Sequence, residues 1–304
     1  MRLIIGFLKQ YFYEVNKQVL ILTALLAAVF IYLNYRYDID GYITNQYSFK
    51  QSFILRYLVF LPAFFIPYLL IVIAEKKKYF SNQGFTILLI IAPAIFALKT
   101  ELRLSFQFSD NYNWNYYWHY IIYWPLLVVI VSSILFIIWK ILHPEENFYG
   151  IKSKGVDWKP YWTMLLIMIP LIVAASTQRD FLSMYPKMKV LAGIYDLQNL
   201  SFLHKLLFEL SYGSDFITIE LFFRGFLILG FIKWVGKDAI LPMAFFYCTI
   251  HFGKPLGECI SSFFGGMLLG VVVYHTRSIL GGLIVHLGIA WLMELGGHMG
   301  NSFK

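Results

Sequence analysis

Long, nearly unbroken apolar runs alternate with short polar stretches along the whole chain. The first run covers residues 18–35, and others follow at 53–74, 85–98, 120–142, 161–175, 216–234, 240–251, 259–274 and 279–295. A helix of about 20 apolar residues crosses the hydrocarbon core of a bilayer. The runs are continuous rather than alternating with period two, which excludes a transmembrane β-barrel. The pattern therefore predicts an all-α, polytopic transmembrane helix bundle of about eight to nine spans. Pro62 and Pro67 predict a kink in the second span. Residues 1–17 mix basic and aromatic side chains and predict an amphipathic helix lying in the interface.

Two stretches depart from this rhythm. Residues 101–124 are rich in Tyr and Trp, as in an aromatic belt at a membrane surface. A platform for carbohydrate or lipid is the sharper alternative. Residues 178–212 are less apolar and predict a polar loop followed by an interfacial helix near 202–210. The shift gives two regions, 1–160 with N-terminal transmembrane helices and 161–304 with a second membrane core.

Composition agrees with the pattern. Of 304 residues, 59% are hydrophobic and only 14% charged, against about 25% charged in soluble domains. The net charge of +8 would suggest nucleic acid in a soluble domain. Here Lys and Arg gather between the runs, as the positive-inside rule expects. The expected partner is the lipid bilayer, with no nucleic acid. The same loop charges place the N-terminus in the cytoplasm. Cys248 and Cys259 fall in or beside spans and read as packing residues.

Charged groups inside such runs are costly and usually functional. The last third of the chain concentrates them. Glu220 and Arg224 are four residues apart, which on an α-helix puts them on one face about a turn apart. His251 closes the run at 240–251. His286, Ala290, Glu294 and His298 follow one another at i, i+4 on one face of the last run. Asp215 lies one turn before Ile219. Acids and imidazoles converging in a dry interior can activate a water, the carboxylate taking its proton and His or Arg stabilising the oxyanion. His nitrogen and carboxylate oxygen also suit Zn²⁺, with His251 and His286 as the ligands in that case. No H-E-x-x-H signature is present. The plain alternatives are a buried Glu–Arg ion pair and hydrogen-bonded core histidines. A transporter would show internal repeats, and none is visible.

Three blocks carry a resemblance. They are Ile219 to Gly225 (I-E-L-F-F-R-G), Tyr247 to His251 (Y-C-T-I-H) and His286 to Ala290 (H-L-G-I-A). In order and spacing they resemble the CPBP family, the CAAX proteases and bacteriocin-processing proteins, whose blocks read E-E-x-x-x-R, F-x-x-x-H and H-x-x-x-N. The resemblance covers roughly residues 200–298. It implies an intramembrane endopeptidase acting on a peptide or protein substrate, in a multi-pass protein of the bacterial inner membrane. By carry-over the catalytic set is Glu220, Arg224, His251 and His286. The chain departs from the pattern at Ile219, where the family has its first Glu, and at Ala290, where it has Asn. Asp215 and Glu294 are the substitutes within reach of those two positions. The departures also allow a pseudo-protease that binds membrane peptides or partners without cutting.

Overall fold

A computed structural model describes residues 2–46, 48–145, 147–152, 155–192, 194, 197 and 199–302. The chain is 83% helical, with no strand among the described residues. The helices are α1 (Arg2–Glu14), α2 (Lys17–Tyr37), α3 (Ile39–Thr44), α4 (Phe49–Glu75), α5 (Gln83–Glu101), α6 (Tyr112–Leu142), α7 (Lys159–Ala175), α8 (Arg179–Met184), α9 (Lys189–Ala192) and α10 (Phe202–Glu220). From Leu221 to Gly230 the chain continues as a π-helix. After it come α11 (Ile232–Val235), α12 (Ile240–Thr249), α13 (Leu256–Thr276) and α14 (Leu280–Ser302).

Six of these, α2, α4, α5, α6, α13 and α14, are long and apolar enough to cross a membrane. The chain is thus polytopic and all-α, and an integral membrane protein. The expected span at 161–175 is α7, apolar but only 17 residues long. The expected spans at 216–234 and 240–251 do not form helices of that kind either. The first is the π-helix and its flanks. The second is α12, ten residues long with every residue buried. At 1.5 Å per residue it reaches only about 15 Å, half a bilayer core. Its apolar composition reflects burial on all sides, which hydropathy cannot tell from contact with lipid. Pro62 and Pro67 both lie inside the continuous helix α4.

The chain divides into two compact units. One contains residues 1–103, 135–154 and 221–279. Its centre is aromatic: Phe60, Phe64, Phe222, Phe226 and Phe246 are all fully buried. Phe96 packs on Phe222 and Phe223 with centroids 4.9 and 4.8 Å apart. Ring pairs at such distances add about 0.5–1.5 kcal/mol each beyond the area they cover. Cys248 and Cys259 are free and buried in this unit.

The π-helix has a visible cause. Its bonds run i→i+5, so residues five apart share a face. Gly225 and Gly230 are five apart, and both face Tyr149. A Cβ on Gly225 would meet the Tyr149 carbonyl oxygen at 2.8 Å, and one on Gly230 would meet its ring at 2.9 Å. Tyr149 is buried with a left-handed backbone, φ 40°. Its loop is tied down by Ile279 N–H donating to the Gly150 carbonyl at 3.0 Å and Ser278 Oγ to that of Lys152 at 2.6 Å.

The other unit contains residues 104–134, 155–220 and 280–304. Here the aromatic stretch near 112–124 is helical and packs inward. Tyr117 and Phe208 are fully buried together, with Trp114, Tyr120 and Trp124 against them. Helices α10 and α14 run antiparallel: the Trp291 indole donates to the Glu209 carbonyl, Gly213 faces Leu287, and Phe216 meets His286. The interfacial helix expected at 202–210 is the first half of α10.

Candidate functional site

Glu220 ends α10 and is fully buried. Its Oε1 lies 2.9 Å from His286 Nδ1 on α14. Two neighbours fix this pair. Phe216, one turn before Glu220, sets its ring edge-on to the imidazole at 4.7 Å. Gly282, one turn before His286, leaves the space that Glu220 Oε2 fills: a Cβ there would sit 2.8 Å from that oxygen. The carboxylate thus lies against a notch in α14 made of Gly282 and His286. A carboxylate oxygen accepts, so Nδ1 carries the proton and the neutral ring keeps its lone pair on Nε2. That is the arrangement in which a carboxylate orients an imidazole for proton transfer through its other nitrogen.

Arg224 is also fully buried. Its guanidinium carbon lies 4.0 Å from the centroid of the Tyr247 ring, a contact worth about 2 kcal/mol when desolvated. Gly266 on α13 gives that ring room, a Cβ there falling 2.9 Å from Tyr247 Cδ1. Tyr247 stands where the resembled second block has Phe, and it presents an aromatic face to Arg224. One turn on, His251 Nδ1 lies 3.0 Å from the Tyr247 carbonyl oxygen. A carbonyl can only accept, so His251 too carries its proton on Nδ1.

The remaining residues fall as follows. Asp215 lies five positions before Glu220 on α10, about 140° round the helix; the position facing His286 is held by Phe216. Glu294 is buried on α14, and both its oxygens accept from the Lys187 backbone N–H, at 2.9 and 2.7 Å. Ile219 and Ala290 are buried. His298 is exposed at the far end of α14. The π-helix begins between Glu220 and Arg224.

Among the described residues no three of His, Cys, Asp and Glu gather closely enough to hold a metal ion. Glu220 Oε1 and His286 Nδ1 are bonded to each other rather than aimed at a shared point. The donor set does not fit a zinc site with three protein ligands.

Sequence reasoning missed Gly282, Phe216 and the stacking role of Tyr247. A signal existed for the first two. On facing helices, a glycine and an aromatic each one turn from a paired acid and base are the residues that would shape the notch.

Fold and site together define a polytopic helical membrane protein with a buried carboxylate–imidazole pair. Residues 207–292 match the family model described as type II CAAX prenyl endopeptidase Rce1-like. The matched stretch, under a third of the chain, contains all three blocks, and the resemblance read from them is borne out. No curated protein and no solved structure matches the chain.

Proposed function

We propose that the protein is an intramembrane endopeptidase whose Glu220–His286 pair activates water against a peptide bond. The observation that carries the reading is the 2.9 Å contact between a fully buried Glu220 carboxylate and His286 Nδ1. It lies inside the segment that matches a family described as prenyl endopeptidases. In this reading His286 Nε2 takes a proton as water oxygen bonds to the scissile carbonyl carbon. Glu220 holds the ring in the required tautomer and stabilises the imidazolium. The proton then passes to the leaving nitrogen as the C–N bond breaks. General-base assistance of this kind contributes about 10²–10⁴ in rate. Arg224 and His251 enter only through the family blocks they occupy, Arg224 as a cation and His251 through the Nε2 lone pair that is left when its Nδ1–H is given to the Tyr247 carbonyl. A peptide ending in a prenylated cysteine motif is the first substrate to offer, because the family description names that class.

One observation favours a second reading. Ile219 and Ala290 place buried apolar side chains where the family blocks carry Glu and Asn. A pseudo-protease would bind the same peptides without cutting them. The assay is direct: purified protein is offered prenylated and unprenylated peptides and the products are weighed by mass spectrometry. Cleavage lost in Glu220→Gln and in His286→Ala supports the first reading. Binding without products in the parent supports the second, and cleavage that survives both substitutions removes the pair from the chemistry.

A further inference from the structure

The N-terminal helices carry no family block, yet they contain a buried charged cluster that the proposed chemistry does not use. Arg56 on α4 is 5% exposed, and Glu101 at the end of α5 is 4% exposed. Arg56 Nε donates to Glu101 Oε1 at 2.6 Å, Nη1 donates to Asp40, and Nη2 to Thr44 Oγ1 at 3.3 Å. Replacing such a network by well-packed apolar side chains is often neutral or stabilising, so stability alone is a weak reason to keep it. Its output is geometric. Asp40 N–H donates to Asn34 Oδ1 at 3.0 Å, and Asn34 Nδ2 donates to the Phe252 carbonyl at 2.9 Å. Tyr35 O–H donates to the Lys254 carbonyl at 2.5 Å. The Asp40 carboxylate also lies against the loop, since a Cβ on Gly253 would meet its Oδ2 at 2.5 Å. Residues 252, 253 and 254 are thus each held from the N-terminal side, and they directly follow His251.

We propose that the Asn34–Asp40–Arg56–Glu101 network positions the His251 turn, and that the N-terminal helices serve the site through it. The proposal rests on the reading of His251 as a site residue. Asn34 is the link. Its amide is 3% exposed and has one side for Asp40 and the other for Phe252, so it couples the ion network to the turn. Arg56, clamped between two carboxylates, keeps Asp40 at the distance that Gly253 alone can accept. These are positioning residues: they reach His251 through the backbone of 252–254.

The test does not depend on finding a substrate. Protein labelled with ¹⁵N at histidine is placed in nanodiscs, and the His251 signal is identified by its loss in His251→Gln. The parent should show His251 in the Nδ1–H tautomer. Asn34→Leu, which removes the link without a charge, should mix the tautomers. It should also raise hydrogen–deuterium exchange across 250–255 about tenfold, the loss of one buried hydrogen bond read as an opening equilibrium. Gly253→Ala presses on Asp40 from the loop side and should do the same; it decides the matter if Asn34→Leu fails to fold. The His286 signal should stay in place in both. An unchanged His251 signal and unchanged exchange in the folded variants would overturn the proposal. So would equal changes at His286, which would mean general loosening. If the parent cuts peptides, Gly253→Ala should lower kcat and leave KM within about twofold, since an interaction used only in the transition state is lost. A parent that cuts nothing counts against the protease reading and leaves the tautomer result standing.

Discussion

Gly282→Ala is a one-carbon perturbation aimed at the Glu220–His286 pair. The new Cβ would fall 2.8 Å from Glu220 Oε2 and 3.7 Å from Cδ. To regain an ordinary contact near 3.4 Å, the oxygen must move about 0.6 Å. The carboxylate is rigid and its Oε1 is bonded to Nδ1 at 2.9 Å, so most of that shift passes to the bond. A separation near 3.5 Å is at the edge of any hydrogen bond. Losing a hydrogen bond to a charged group costs about 1.5–3 kcal/mol. If that energy is used in the transition state, kcat falls about 10- to 150-fold. The helix itself gains about 0.5–1 kcal/mol from Ala in place of Gly, so the net loss of stability is smaller than the loss of rate. Gly265→Ala on α13 is the control, because a Cβ there meets nothing within 4 Å; it should leave kcat alone. The assay pairs peptide cleavage with the ¹⁵N signal of His286 Nδ1, which should move only in Gly282→Ala. If kcat stays within about twofold while that signal shifts, the bond is broken without kinetic effect, and the assignment of Glu220 as the orienting group is wrong.

Three further outcomes follow from the same geometry. Ile219→Glu restores the first acid of the family block at a position only 7% exposed; it should cost about 3–5 kcal/mol in thermal or denaturant unfolding without raising kcat, and a tenfold gain in kcat would instead show that Glu220–His286 is incomplete. Glu294→Ala removes the acceptor for Lys187 N–H and should destabilise by about 1–3 kcal/mol and raise exchange at 184–189; a kcat collapse matching His286→Ala would put Glu294 in the chemistry. His143, just past α6, has its pKa pushed down to about 4 by burial first and by the nearby Lys233 charge second. Below its ordinary value near 6.5 the unfolded chain takes up a proton that the folded one refuses, so stability present above pH 6.5 is lost as pH falls toward 4; the thermal midpoint should drop more between pH 7 and 5 in the parent than in His143→Gln, and equal slopes would remove His143 as the cause.

How far the sequence reaches depends on which force wrote each pattern. The six helices capable of crossing a membrane lie where the apolar runs put them, to within a few residues at most ends, because a lipid-facing helix has one physical requirement and it is compositional. The runs at 216–234 and 240–251 are apolar for a related reason. In α12 all ten residues are buried, and burial against protein favours the same side chains as burial in lipid. The π-helix was invisible to a reading that assumed a 100° step throughout. Gly225 and Gly230 were in view, but only the placement of Tyr149 between residues five apart gives their spacing meaning.

The site was legible in its residue types and not in its pairing. Glu220, Arg224, His251 and His286 stood out because charge in an apolar run is costly. The natural guess paired Glu220 with Arg224, four residues on. The structure adds contacts which that spacing does not show: Glu220 bonds across to His286 on α14, and Arg224 lies on the Tyr247 ring. Both contacts are made to other helices, so no spacing along one helix could have shown them. Within each of the two facing helices spacing does read as contact: Phe216 and Gly282, each one α-turn from its neighbour in the pair, bracket the bond. Where the backbone stays α-helical, side-chain spacing can be read as contact. Where the backbone turns π-helical, as it does one residue after the carboxylate on which the proposed chemistry depends, the five-residue spacing of Gly225 and Gly230 is what meets the docked Tyr149.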